Sequence, residues 1–196
     1  MQTEIETKFL NIRPDNLRTI LSDAGATLIH EERLMRRKTF DDFSGNLRKI
    51  GGWIRVRDEG DKVTLAYKQL NDRTLYGTKE ISLDVSDFET ACNFLLATGF
   101  DCKAYQETKR ERWELDGVEV TIDTWPWIPP FVEIEGTLEE DLKAVARKLR
   151  LDWNTALYGS VEVAYQAMYD VTENEVDSWE NITFSPVPDW LEVKRR

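Results

Sequence analysis

Glu4-Ile5-Glu6-Thr7-Lys8 carries two carboxylates and an ammonium on alternate residues, with Ile5 in the other phase. Successive side chains of an extended chain point to opposite faces, so Glu4, Glu6 and Lys8 share one face and Ile5 looks the other way. The same period of two recurs across residues 3–10, 53–58, 62–70, 78–85, 106–115, 118–124 and 131–136. Short polar turns join neighbouring runs at Asp58-Glu59-Gly60-Asp61 and at Asp116-Gly117, the second a strong hairpin signal. An antiparallel meander is the expectation.

Amphipathic helical runs interrupt it. Pro14-Asp15 opens one that carries Leu17, Ile20, Leu21 and Ala24 and stops at Gly25. Ser86-Asp87-Phe88-Glu89 fits a capping box with Ser86 at the N-cap, and Gly99 ends that helix. Residues 138–149 place Leu142, Val145, Ala146 and Leu149 on one face, and a fourth helix is expected over 161–169. Residues 171–196 are acidic and then aromatic, with Trp179, Phe184 and Trp190, a density of apolar side chains that predicts a segment packed over the domain. The class is α+β, with antiparallel strands predominating.

The strand faces that should meet water are charged in a sorted way. Arg55 and Arg57 share a phase with Trp53; Lys68 and Glu80 sit on the next runs; Arg110 and Arg112 alternate with Glu111 and Trp113; Asp123, Glu133 and Glu135 close the series. Any one of these faces reads as ordinary solvated sheet. As a set they group carboxylates on the first and last strands and cations on the middle ones. Closing the sheet into a barrel explains them together, because alternate residues then line the interior. Carboxylate oxygens hold a hard divalent cation, and Arg and Lys clamp phosphate oxygens. A barrel for apolar ligands would need a greasy lumen, which this phase contradicts.

Composition bounds the rest. With 196 residues, 41% hydrophobic, the chain is long enough for one domain with a real core. Asp and Glu number 37 against 26 Lys and Arg, a formal charge of -11, which disfavours long nucleic acids and anionic membrane surfaces as partners. There is no cationic-then-apolar leader and no stretch near the roughly 20 apolar residues of a membrane span, so a soluble, cytoplasmic protein is expected. His30 is the single histidine, which removes imidazole-based nucleophilic mechanisms and reads as structural, near the start of a strand. Cys92 and Cys102 lack metal or redox spacing and are expected as buried thiols.

The ordered set Glu4-x-Glu6-x-Lys8, Arg55-x-Arg57, Lys68, Glu80, Lys109-Arg110, Asp123 and Phe131-Val132-Glu133-Ile134-Glu135-Gly136 resembles the CYTH family, the triphosphate tunnel metalloenzymes. That family includes class IV adenylate cyclases, thiamine triphosphatases and inorganic triphosphatases. The resemblance implies a closed eight-stranded antiparallel β-barrel with flanking helices over residues 1–170, leaving 171–196 as an extension. It implies Glu4, Glu6, Asp123, Glu133 and Glu135 as a site for Mg²⁺ or Mn²⁺, and Lys8, Arg55, Arg57, Lys68, Arg110 and Arg112 as a phosphate clamp. Glu80 would support a metal-bound water or orient a neighbouring cation, and Lys8 is a candidate for proton transfer. Trp53 is a candidate to stack on a base or thiazole at a tunnel mouth, against the alternative of a packed tryptophan. Many family members carry a further lysine near the C-terminal helix; around Tyr158-Gly159-Ser160 this chain has none. A small-molecule triphosphate is the implied substrate, for a monomer or homodimer. Attack by water on it gives a triphosphatase, attack by a ribose hydroxyl an adenylate cyclase, and binding without turnover a polyphosphate or nucleotide binder.

Overall fold

The computed structural model describes residues 1–196 throughout. Strands β1 (Gln2–Phe9), β2 (Thr27–Asp42), β3 (Gly52–Asp58), β4 (Val63–Leu70), β5 (Thr78–Val85), β6 (Phe100–Leu115), β7 (Val118–Thr124) and β8 (Phe131–Gly136) pair in the order β2-β3-β4-β5-β1-β8-β7-β6. A long β2–β6 ladder joins the two ends of that order, so the eight strands close into an antiparallel barrel with flanking helices. The β3–β4 and β6–β7 turns fall at one end of the barrel; the β2–β3, β4–β5 and β7–β8 connections fall at the other. At the β6–β7 turn Asp116 and Gly117 have φ of 52° and 77°, the pair of left-handed residues that a tight hairpin needs.

Strand β2 is the element that alternation does not reveal. Its run Glu31-Glu32-Arg33-Leu34-Met35-Arg36-Arg37-Lys38 is charged in both phases, and register shifts between Leu28 and His30 and between His30 and Arg33 break the period. Neighbours define it instead. It is sixteen residues long, bonded to β6 along most of its length and to β3 over Arg36–Phe40.

The apolar core lies outside the barrel, between its outer face and the helices. Helices α1 (Pro14–Asp23) and α4 (Glu139–Lys148) bury Leu17, Leu21, Leu142, Val145 and Ala146 against Trp113, Leu115, Val118, Val120, Ile122, Val132 and Ile134. Each such side chain contributes about 1.5–3 kcal/mol when fully buried. The single-turn α2 (Asn46–Lys49) sits in the β2–β3 connection. Helix α3 (Phe88–Ala97) covers Phe40 and Val56 with Phe88, Ala91, Cys92 and Leu95. Its cap is one residue later than the sequence suggests: Asp87, not Ser86, accepts from the Thr90 N–H at 2.7 Å, because the carboxylate is the stronger acceptor and already has extended backbone.

Helix α5 (Glu162–Met168), α6 (Glu173–Asp177), the short β9 (Asn181–Ile182) and α7 (Asp189–Glu192) complete the chain. β9 adds in parallel to β6, and Trp179, Ile182 and Leu191 join Trp125, Ile128, Phe131, Tyr165 and Tyr169 in a second core. The Tyr165 and Tyr169 hydroxyls donate to the Pro126 and Trp127 carbonyls at 2.9 and 2.6 Å, so the Trp125-Pro126-Trp127 segment is a packed turn. The C-terminal segment is thus folded onto the β7–β8 end of the barrel. Cys92 is buried, but Cys102 is exposed, lying near the start of β6 beside the irregular register at Thr39 and Phe40. No helix is long and apolar enough to cross a membrane.

Candidate active site

With the core outside, the inner face is free to be polar. A cavity of about 1020 Å³ is lined from all eight strands by the phase that carries the charges. The strand order puts β1 and β8 on one wall and β2, β3 and β6 across from or beside it.

The carboxylate wall is built by the β1–β8 register, which sets Glu6 opposite Glu135 and Lys8 opposite Glu133. One oxygen from each of Glu6, Glu133 and Glu135 lies within 4.8 Å of the others. Two oxygens on a shared Mg²⁺ lie about 3–4 Å apart, given metal–oxygen bonds of about 2.0–2.1 Å, so this triad needs little closure to hold such an ion. Burial, with the charges of Glu6 and Glu133, pushes the Glu135 carboxyl up to about 7. Glu6 and Glu133 have a cation beside them while Glu135 has none within ion-pair distance, and crowding of this kind is the condition that a divalent cation relieves.

Lys8 sits beneath them, 3.1 Å from Glu6 and 3.0 Å from Glu133, and donates to the Gly159 carbonyl at 2.8 Å. Burial works against its charge, but Glu133 and Glu6 outweigh burial and hold the ammonium well above its ordinary value. Three acceptors surround the ammonium, a placement that suits a charge partner of the two acids better than a proton-transfer group. Gly159 is also the place where a further lysine is missing: its carbonyl, not a cation, faces Lys8.

Glu4 and Asp123 stand apart from the triad. Lys68 reaches Glu4 and Glu80 at 2.9 Å each, with Arg55 3.8 Å from Glu80. Burial, only partly offset by Lys68, pushes Glu4 up to about 8. At Glu80 burial is outweighed by Lys68 and Arg55, which hold it down to about 2. Asp123 spends both oxygens on Arg110, at 2.6 and 2.9 Å, and accepts from the Thr121 hydroxyl at 2.8 Å. Its place is that of a seat for Arg110, whose guanidinium also reaches Glu133 at 3.3 Å.

Opposite lies the cation wall. Arg57 donates twice to Glu59 at 2.9 and 2.5 Å, whereas Arg55 is buried with an unpartnered Nε. Burial and the charge of Arg57 lower Arg55 to about 10. Arg112 pairs with Glu119 at 2.7 Å toward the β6–β7 end, half-exposed. Trp53 is half-buried and lines the cavity beside Lys68, its cross-strand partner on β4, rather than packing in either core.

Arg33, Arg37 and Glu59 also line the cavity, and sequence reasoning did not single them out. Arg33, Met35, Arg37, Thr39 and Asp41 share a phase, but Arg36 and Lys38 mask it with equal charge outside, where they meet Asp58 at 3.1 Å and Glu89 at 3.4 Å. The register Arg37↔Arg57 was the signal, and it needs β2 to be known first.

The fold and site together define a closed antiparallel tunnel with a metal-competent carboxylate wall facing a wall of arginines. The chain belongs to the CYTH domain family, whose model matches residues 2–164. No curated protein sequence matches it. Among solved structures it is similar to a candidate adenylate cyclase of Vibrio parahaemolyticus, at TM-score 0.72 and 14% identity over 84% of this chain and 98% of that one. It is similar to the PH1012 protein of Pyrococcus horikoshii OT3, at TM-score 0.65 and 21% identity over 78% and 93%. A candidate adenylyl cyclase of Hippeastrum, described as revealing a dominant triphosphatase activity, matches at TM-score 0.55 and 15% identity over 90% and 95%. At these identities the likeness is one of fold.

Proposed function

We propose that the protein is a divalent-metal-dependent phosphohydrolase that takes a triphosphate, inorganic, nucleoside or thiamine, into the barrel and cleaves a phosphoanhydride bond. The observation that carries this reading is the pairing of a three-carboxylate group with an opposing wall whose buried Arg33, Arg37 and Arg55 Nε atoms have no partner. Buried polar groups in folded proteins are nearly always satisfied, so several orphaned donors facing one cavity point to an anion. Residues 1–170 would form the tunnel domain and 171–196 an extension that closes over one end.

Glu6, Glu133 and Glu135 would hold Mg²⁺ or Mn²⁺, which when bound neutralises phosphate oxygens and acidifies a water. Lys8 keeps Glu133 charged, and its ion pairs aim Glu6 and Glu133 at that position. Arg55, Arg57 and Arg110 meet the non-bridging oxygens and stabilise the charge that grows on the leaving group, with Glu59 and Asp123 fixing two of the three guanidinium planes. Lys68 holds Glu4 and Glu80 together at the edge of the site. Cyclisation of ATP is the second reading. Trp53 favours it, because a cyclase must hold a base as well as a triphosphate, and this ring is open to the cavity.

Incubation with Mg²⁺ or Mn²⁺ and, separately, tripolyphosphate, ATP and thiamine triphosphate distinguishes the readings by product. Phosphate or pyrophosphate without cyclic AMP is expected. Cyclic AMP selects the second reading, and tight binding with no product from any substrate leaves a binder. Glu133→Gln and Arg57→Ala should each lower turnover by at least about 100-fold, in line with removal of transition-state charge stabilisers.

A further inference from the structure

Arg37 is a cation of the tunnel that has no carboxylate of its own. It comes from β2, the strand halfway around the ring from β1, and its ladder partners are Arg57 on β3 and Gln106 on β6. Its only side-chain hydrogen bond is a long one, 3.5 Å to the Thr108 hydroxyl, and its Nε is buried with no partner. The charges that act on it most are three other guanidiniums, Arg55, Arg57 and Arg110, and the carboxylate of Asp123, which is already held at both oxygens by Arg110. Each of the other clamp arginines has an acid within reach: Arg110 has Asp123, Arg57 has Glu59 and Arg55 has Glu80.

Such an arrangement destabilises the fold unless something else uses it, because like charges in a restricted, low-dielectric space repel without screening. What holds Arg37 in place is Trp125, whose ring centre lies 4.3 Å from the guanidinium carbon. Stacking on an aromatic face supplies attraction without consuming N–H groups, so the guanidinium is fixed while its donors stay free. Trp125 is in turn buried against Tyr165 at the β7–β8 end, a rigid backing.

We propose that Arg37 is a direct phosphate-binding residue, gripping the triphosphate on the side turned away from Glu6, Glu133 and Glu135. The inference rests on the triphosphate reading above and adds to its guanidinium wall a residue from β2, seated by Trp125 and with no acid of its own to release. Lysine would not substitute well, since it can neither stack as a plane nor donate a fork to two oxygens.

The test titrates tripolyphosphate into wild type, Arg37→Met, Arg37→Lys and Glu133→Gln, in Mg²⁺ and again in chelator, and records the melting temperature of each protein without ligand. Arg37→Met should bind at least about tenfold more weakly in both media, a loss of about 1.4 kcal/mol. It should also melt higher than wild type, because repulsion among the guanidiniums is relieved. Arg37→Lys should recover only part of the affinity, and Glu133→Gln should weaken binding in Mg²⁺ but not in chelator. Unchanged affinity in Arg37→Met, with wild type binding normally, overturns this inference alone; so does affinity lost together with a lowered melting temperature, which marks a structural residue. Failure of the wild type itself to bind tripolyphosphate overturns the parent reading.

Discussion

Arg57 shows how one residue of the clamp depends on a residue outside any strand. Glu59, in the β3–β4 turn, is almost fully buried and accepts both hydrogen bonds from Arg57. Burial pushes the Glu59 carboxyl up, but attraction and hydrogen bonding from Arg57, with Lys62 and Arg110 behind, more than offset it and hold it below its ordinary value. A carboxylate whose folded value is depressed contributes stability that is present above the unfolded value of 4.5 and is lost as pH falls toward the folded one. Denaturant midpoints measured against pH should therefore fall more steeply below about pH 4.5 in wild type than in Glu59→Gln. At neutral pH the variant should be less stable by about 1.5–3 kcal/mol, the usual worth of a hydrogen bond to a charged group. Parallel acid limbs in the two proteins would show that the pair is not linked to folding. Residues at this scale were legible where they alternate: Glu4, Glu6, Lys8, Arg55, Arg57, Arg110, Glu133 and Glu135 all face the cavity as their phase requires. The division of the acids was not legible. Nothing in sequence spacing says that Asp123 seats an arginine while Glu135 joins a triad, since that follows from which strands the register brings together.

Elements were legible in proportion to the contrast between their two faces. Strands β3 to β5 and β7 to β8, with apolar residues outside and charges inside, could be read directly. β2 could not, because its outer face is charged as well: Arg36 and Lys38 lie over the Phe88 ring and reach Glu89 of helix α3, where the other strands present apolar residues. The C-terminal segment was legible only as apolar density; that it pairs β9 with β6 and buries Ile182 and Leu191 completely depends on partners about 80 residues away. Its packing gives an element-scale prediction. Ile182→Ala and Leu191→Ala should each cost about 2–5 kcal/mol, the range for emptying a buried aliphatic site, with a single cooperative transition retained. A separate early transition, or no loss, would show that the segment is not part of the barrel's cooperative unit.

At the scale of the molecule the formal charge of -11 sits beside a tunnel proposed to take an anion, and the two ends of the barrel differ in how they would receive one. At the β3–β4 and β6–β7 end the cavity is rimmed by Arg33, Lys62 and Arg112, although Asp61 and Glu119 pair with two of them and Glu59, already held by Arg57, lies 4.0 Å from Lys62. At the other end the rim carries Glu173, Asp177 and Glu180 from the C-terminal segment beside Arg48 and Lys103; the segment is held to the barrel by Arg48, 3.1 Å from the Asn174 carbonyl, and by Arg73, 2.7 Å from Glu173. A polyanion approaching from solution meets attraction at the first end and repulsion at the second, and a charged cleft raises association rates through that field. Replacing Lys62 and Arg112 together by glutamine should therefore slow tripolyphosphate association several-fold at low ionic strength. Replacing Glu173 and Glu180 by glutamine should leave the rate unchanged, because that end is not the route. Stopped-flow rates at about 10 mM and about 1 M salt decide it, since the Debye length shrinks from about 30 Å to about 3 Å and the long-range part of the difference must vanish with it. Equal rates for wild type and the Lys62/Arg112 double variant at low salt would place the route elsewhere, and a faster rate in the Glu173/Glu180 double variant would place it at the acidic end.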